Sequence, residues 1–155
     1  MPSTPLTFGG DETFDAPPER VFDLLTNLDQ LSSTIPDLVS SEKTDERTLE
    51  CVVRPGLSFL RGTLRVAIRL GELNRPVSAV MHVAAKGIGT QIGVESQIKL
   101  EAAADGTRLN WTAEVVELRG LVATVGRTLI SAAADQVIRG AWQRVRETLA
   151  AHPGS

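Results

Sequence analysis

Leu109-Asn110-Trp111-Thr112-Ala113-Glu114-Val115 alternates apolar and polar residues, and just past Arg119-Gly120 the alternation stops. Successive side chains of a β-strand point to opposite faces, so this stretch reads as a half-buried strand with Leu109, Trp111, Ala113 and Val115 turned inward. From Leu121 to Ala150 there is no proline, and apolar residues recur at spacings of three and four. That stretch predicts one helix of about 45 Å. A last strand handing over to a long terminal helix is the pairing on which the fold turns.

The same period of two runs upstream. Ser96, Ile98 and Leu100 alternate with Gln97, Lys99 and Glu101. Ala79, Met81, Val83 and Ala85 alternate with His82 and Lys86, and Leu64, Val66, Ile68 and Leu70 with Arg65 and Arg69. Leu49, Cys51 and Val53 alternate with Glu50 and Arg54. Such alternation marks antiparallel strands with one wet face. Turn residues separate them at Asp45-Glu46, Pro55-Gly56, Asn74-Arg75-Pro76, Gly87 to Gly93, and Asp105-Gly106, the last a strong hairpin signal. At the front, Leu6 to Phe14 reads as a short strand. Ala16-Pro17-Pro18 then opens a helix, since proline is tolerated in the first turn. Val21, Phe22, Leu24, Leu25 and Leu28 form its apolar stripe, and Asp29 to Ile35 is a second short helix or turn closed by Pro36.

Six or seven antiparallel strands curl because strands twist, and the inside of the curl must be filled. Only the terminal helix has enough apolar surface left to do so. The expected architecture is therefore α+β, a helix-grip fold: a curved antiparallel sheet around a long C-terminal helix, with two short helices after the first strand. One domain over residues 6–150 accounts for the pattern, with 1–5 and 151–155 as loose ends. The helix has one irregularity. Val122, Val125 and Leu129 fall on a different side from Ile138, Ala141, Val145 and Leu149. Either the helix bends near Ala132 to Asp135, or its first half serves a second surface.

Phe14-Asp15-Ala16-Pro17-Pro18-Glu19-Arg20-Val21-Phe22-Asp23-Leu24-Leu25 resembles the opening of START-like (SRPBCC, polyketide cyclase/dehydrase-type) domains, which share the Bet v 1-like fold. More narrowly, Thr34-Ile35-Pro36-Asp37-Leu38, Arg61-Gly62-Thr63-Leu64 and Val125-Gly126-Arg127-Thr128-Leu129-Ile130 are similar to the CoxG family, the G subunits of carbon monoxide dehydrogenase, over roughly residues 8–148. The resemblance implies a non-catalytic accessory protein of a carbon monoxide dehydrogenase-type molybdenum hydroxylase. Members are implicated in attaching that enzyme to the cytoplasmic membrane and in binding a quinone-like lipid in an apolar cavity. Two departures stand out: the family often has glycine where this chain has Asp37, and many members carry a long C-terminal tail where this chain stops at Ser155.

Composition sets outer bounds. The chain has 155 residues, 42% hydrophobic and 23% charged, with a formal net charge of −3. That charge attracts no nucleic acid globally, and exposed aromatics interleaved with basic residues are not in the pattern. No apolar run approaches the roughly 20 residues needed to span a bilayer. Met1-Pro2-Ser3-Thr4-Pro5 does not read as a signal peptide, and a lone Cys51 forms no internal disulfide, so a bacterial-type cytoplasm is expected.

Few residues can carry chemistry. His152 falls in the tail, and His82 lies on a polar phase and reads as a surface histidine. Cys51 is inward, away from any base that would make it a nucleophile, and reads as a core or pocket-wall residue. Two histidines and one cysteine far apart do not offer a structural zinc site, and no metal or cofactor is expected. The glycines from Gly87 to Gly93 lie between strands, so a mobile loop is expected there rather than a nucleotide site. Glu12 is inward if Phe8 and Phe14 are. It could orient a polar head group or act as a base, or simply be held in a salt bridge. Arg54, Arg61, Arg65, Arg69 and Arg75 cluster on or beside an outer face that could meet an acidic partner or anionic lipid, or be an ordinary solvated surface with Glu50 and Glu101 opposite. Trp111 and Trp142 are inward, as core or as pocket wall.

The expected lining of an apolar site is Glu12, Phe22, Leu25, Cys51, Val53, Leu64, Val66, Ile68, Met81, Val83, Ile98, Trp111, Ala113, Ile130 and Trp142. Arg65, Arg69, Val122, Val125 and Leu129 are the expected partner or membrane face. Three functions fit: a binder of an apolar small molecule or lipid, a docking module for a partner enzyme or the inner face of the cell membrane, and a cyclase- or dehydratase-like enzyme with Glu12 as base.

Overall fold

The computed structural model describes residues 6–56 and 61–151. His152 and the segments 1–5 and 152–155 lie outside them, whereas Ala151, expected in a loose end, is the last helical residue.

Seven strands form one antiparallel sheet in the order β1-β7-β6-β5-β4-β3-β2. They are β1 (Leu6–Phe14), β2 (Leu38–Asp45), β3 (Thr48–Val53), β4 (Leu64–Asn74), β5 (Ser78–Gly87), β6 (Thr90–Ala103) and β7 (Gly106–Gly120). From β2 to β7 each strand pairs with the next in sequence, and β1 returns to pair with β7. The free edges are therefore β1 and β2, and every residue of β2 except Leu38 is exposed. Helices α1 (Pro18–Thr26) and α2 (Leu28–Leu31) and a 3-10 turn (Ser32–Thr34) lie between β1 and β2, and α3 (Arg127–Ala151) closes the chain. This is the helix-grip arrangement that the alternation predicts.

Local chemistry explains the joints. Pro18 is the first residue of α1, and α1 is buried at Val21, Phe22, Leu24 and Leu25. The Asn27 side chain accepts from the backbone N–H groups of Asp29 and Gln30, which lack helical partners at the start of α2. The buried Thr107 hydroxyl donates to the Ala16 carbonyl at 2.6 Å, tying the start of β7 to the entry of α1.

Two expectations need correction. The terminal helix does not begin at Leu121. Gly120 has φ of 82°, and Leu121–Thr124 forms a second 3-10 turn. The chain is extended at Val125 before α3 begins at Arg127. A Cβ at position 120 would lie 2.0 Å from the Gly89 carbonyl oxygen, so the chain turns there only because the residue is glycine. Val122 and Val125 of the displaced stripe thus precede α3, and only Leu129 lies on it. The second correction concerns Gly87 to Gly93. Strands β5 and β6 run right up to a tight turn at Ile88-Gly89, and Gly93 lies inside β6, so no long loop exists there.

Candidate functional site

Packing divides the concave side of the sheet into two buried clusters. One gathers Phe14, Val21, Phe22, Leu25, Leu100 and Leu109 against Val145 of α3. The other gathers Leu28, Leu31, Leu49, Cys51, Leu64 and Ile68 under α2. The inward positions Val66, Met81, Val83, Ser96, Trp111 and Ala113 are only half-buried; Val66, Met81 and Val83 pack against the second cluster and Trp111 against the first. Helix α3 lies over this side: among the described residues its close backbone approaches are to the 3-10 turn at Ser32–Thr34 and to α1, while Trp142, Val145 and Leu149 pack with the first cluster. Of its 25 residues only Ile130 and Val145 are buried, while Ala134, Ile138, Ala141 and Trp142 are half-buried facing the sheet.

The expected lining residues divide accordingly. Phe22, Leu25, Cys51, Val53, Leu64, Ile68 and Ile130 are buried. Val66, Met81, Val83, Ile98, Trp111, Ala113 and Trp142 are half-buried, and all of them except Ala113 pack against one of the two clusters. Cys51 is 2% exposed, and burial pushes its thiol up, away from nucleophilic use.

Glu12 does face inward, but its carboxylate takes a hydrogen bond from Arg146 of α3 at 2.5 Å. Arg146 in turn lies over the Phe14 ring, 5.1 Å from its centroid. The pair joins β1 to α3 and answers the inward carboxylate with a salt bridge. The partner is 134 positions away, which no local spacing reveals.

Three aromatic rings close this end of the concavity. Trp142 stands 5.9 Å from Phe14 and 6.2 Å from Trp111, both tilted. The Trp111 ring leans over Gly10, its register partner in β1, where an added Cβ would be 3.2 Å from Nε1. Trp111 Nε1 is buried without a hydrogen-bond partner. An unpaired buried donor costs about 1–3 kcal/mol, so the ring is held there by packing against an unmet polar demand.

At the other end a cleft of about 260 Å³ opens between α3 and two loops, bounded by Pro36, Asp37, Pro55, Val137, Gly140 and Arg144. Asp37 has φ of 60°, a region glycine enters freely and aspartate tolerates. Asp37 is kept there by accepting from the backbone N–H of Arg54 with its carbonyl and of Gly56 with Oδ2.

The expected partner face is dispersed. Val122 is 2% exposed and belongs to the interior; Val125 is half-buried, and Leu129 is 46% exposed. Arg65 and Arg69 are exposed on the outer side of β4. Arg75 leaves the expected arginine cluster: its guanidinium pairs with Asp23 at 2.7 Å and holds that carboxyl below its usual range. His82 lies half-buried on the outer side with Nδ1 3.6 Å from Glu95. Among the described residues no group of three or more His, Cys, Asp or Glu side chains is placed to hold a metal ion, and no helix is long and apolar enough to cross a membrane.

With this geometry in place, comparison with known proteins is specific at one level. The family model for the G subunit of carbon monoxide dehydrogenase (CoxG) matches residues 10–150. Among solved structures, a conserved protein from Geobacillus kaustophilus superposes with a TM-score of 0.86 at 22% identity, over 94% of this chain and 95% of that one. Ara h 8.0201, a Bet v 1-like protein, gives 0.70 at 15% identity, over 95% and 99%. Protein Ms6760 from Mycobacterium smegmatis gives 0.70 at 13% identity, over 96% and 93%. At these identities the structures speak for the fold alone. No curated protein matches the chain.

Proposed function

The chain belongs to the CoxG family, the G subunits of carbon monoxide dehydrogenase, and from that membership we propose that it is an accessory protein that holds an apolar small molecule, lipid-like or quinone-like, between the sheet and α3. In this reading it serves a carbon monoxide dehydrogenase-type molybdenum hydroxylase and carries out no chemistry itself. One observation carries the proposal: Val66, Met81, Val83, Trp111 and Ala113 point inward yet remain half-buried. Apolar side chains left in contact with water forgo about 25 cal/mol per Å² of burial, which a greasy occupant would recover.

The surroundings suit a flat or chain-like guest. Small side chains at Ala85 and Ala113 leave width, and the Trp111 and Trp142 rings form a wall at one end. Glu12 is engaged by Arg146 and is not poised as a free base, which weighs against the enzymatic reading.

Native mass spectrometry of mildly purified protein tests this. The expected result is a second species, heavier by the mass of a hydrophobic molecule that extracts into organic solvent. A protein that stays at its bare mass when lipid and quinone are supplied would remove the proposal. Pull-down of molybdenum hydroxylase subunits from the source cell tests the partner separately.

A further inference from the structure

We propose that the Ser96 hydroxyl is the polar anchor of the concave face, and that it selects an apolar guest bearing a carbonyl or hydroxyl oxygen over a plain hydrocarbon. The proposal rests on the reading of the concave face given above and adds the chemistry that the guest must bring.

Register places the hydroxyl. Ser96 lies in the middle of β6, opposite Met81 of β5 and Ala113 of β7. Two positions away along the same face of β6 are Val94 and Ile98. One polar side chain thus stands among four apolar neighbours, half-buried and on the inward phase. It also falls at a seam in the packing. Met81 packs against the second cluster, Ile98 and Trp111 pack against the first, and Ala113 packs against neither. Because Ala113 offers only a methyl group, no large side chain blocks the approach to Ser96 Oγ from β7.

Its hydrogen bonding is unanswered by the protein. On the inner phase of β1, β6 and β7 the polar side chains are Glu12, Thr90, Ser96 and Thr107. Glu12 is paired with Arg146, Thr90 donates to the Ile88 carbonyl at 3.4 Å, and Thr107 donates to the Ala16 carbonyl. Ser96 has no hydrogen-bond partner among the described residues. The neighbouring backbone is already engaged, since β6 pairs with β5 on one side and β7 on the other throughout this stretch. The other unmatched donor of this face, Trp111 Nε1, is buried over Gly10 and closed to a guest. Ser96 is therefore the donor that remains for a guest to meet.

The selectivity follows from desolvation. A hydrocarbon lying over Ser96 strips water from the hydroxyl and returns nothing, whereas an oxygen on the guest replaces the lost bond. Serine offers one O–H donor and two lone pairs, so a guest carbonyl or a guest hydroxyl answers it equally. Such a site discriminates mainly by penalising the wrong guest. The unmatched hydroxyl is expected to disfavour the hydrocarbon roughly tenfold.

Equilibrium dialysis with fluorene and fluorenone tests this, since the two flat molecules share a skeleton and differ by one carbonyl oxygen. Each probe is compared between the native protein and Ser96→Ala, so the probes' own difference in hydrophobicity cancels. Ser96→Ala is expected to weaken fluorenone, tighten fluorene and lower the ratio of their affinities roughly tenfold. Thr112→Ala removes a hydroxyl from the exposed outer side of β7 and should change neither. Ala113→Phe, beside Ser96, should exclude both probes. Circular dichroism melts confirm that each variant is folded. If both probes bind, Ala113→Phe excludes them and Ser96→Ala leaves the ratio unchanged, this proposal is overturned while the apolar-guest reading stands. If neither probe binds the native protein, that reading fails and this proposal with it. Binding that persists in Ala113→Phe puts the probes elsewhere and also overturns it.

Discussion

The two halves of the concave face carry the same alternating pattern and come to different ends. Around Leu100 and Leu109 the inward side chains are sealed by α1 and by the last turns of α3, and Leu109 has no exposure at all. Around Val66, Met81, Val83 and Ala113 the inward side chains meet only partial cover. Inward phase is thus necessary for a core but not sufficient. What separates a sealed position from a half-buried one is a second layer over it, and on α3 only Ile130 and Val145 are themselves buried.

The sharpest test of that contrast is a pair of truncations. Phe22→Ala, in the sealed half, should cost about 3–5 kcal/mol in urea unfolding, because it leaves a void that rigid neighbours cannot close. Met81→Ala, in the open half, should cost about 1 kcal/mol, since part of the transfer energy is already absent. Equal losses at the two positions would mean that the open half is packed in solution. Filling the space tests the same difference from the other side. Ala113→Phe should leave stability within about 1 kcal/mol of the parent if the concavity is empty, and should abolish retention of a hydrophobic guest in native mass spectrometry. A large destabilisation would show that the ring had nowhere to go.

The smallest effect lies outside both halves. Arg75 holds Asp23 below its usual carboxylate range chiefly by hydrogen bonding, against an opposing cost of desolvation. With its folded-state pKa depressed, this carboxyl adds stability above its ordinary value of 3.8 and loses it as pH falls through the lower folded value. Asp23→Asn should therefore lower the melting temperature slightly at neutral pH and not at all in strong acid. Both side chains are more than half exposed, so salt should shrink even that difference.

Much of this is legible from residue order. The five alternating runs become β3 to β7, Asp105-Gly106 marks the β6–β7 turn, and Pro17-Pro18 marks the start of α1, because period and turn chemistry are local. Periodicity misplaces the start of the terminal helix, where non-local sterics intervene. The Gly120 turn fits against the Gly89 carbonyl, and Val122 is drawn into the interior ahead of Arg127. Once that turn is set apart, Ile130, Ile138, Ala141, Val145 and Leu149 form one continuous stripe, and the apparent shift of face disappears. At the site, strand phase sets Trp111 and Ala113 inward, but it carries no information about how much of each the other elements cover. Nor can it pair Glu12 with Arg146, which only the closed fold brings together.

The edge strand β2 has a consequence for how copies of this protein meet. Its outer rim is Ser40-Ser41-Glu42-Lys43-Thr44-Asp45, exposed throughout. An unpaired strand border ordinarily recruits further strands, but ionised side chains along it must be stripped of water before another chain can add. The sheet is therefore expected to stop at seven strands on this side at high concentration instead of extending into fibrils.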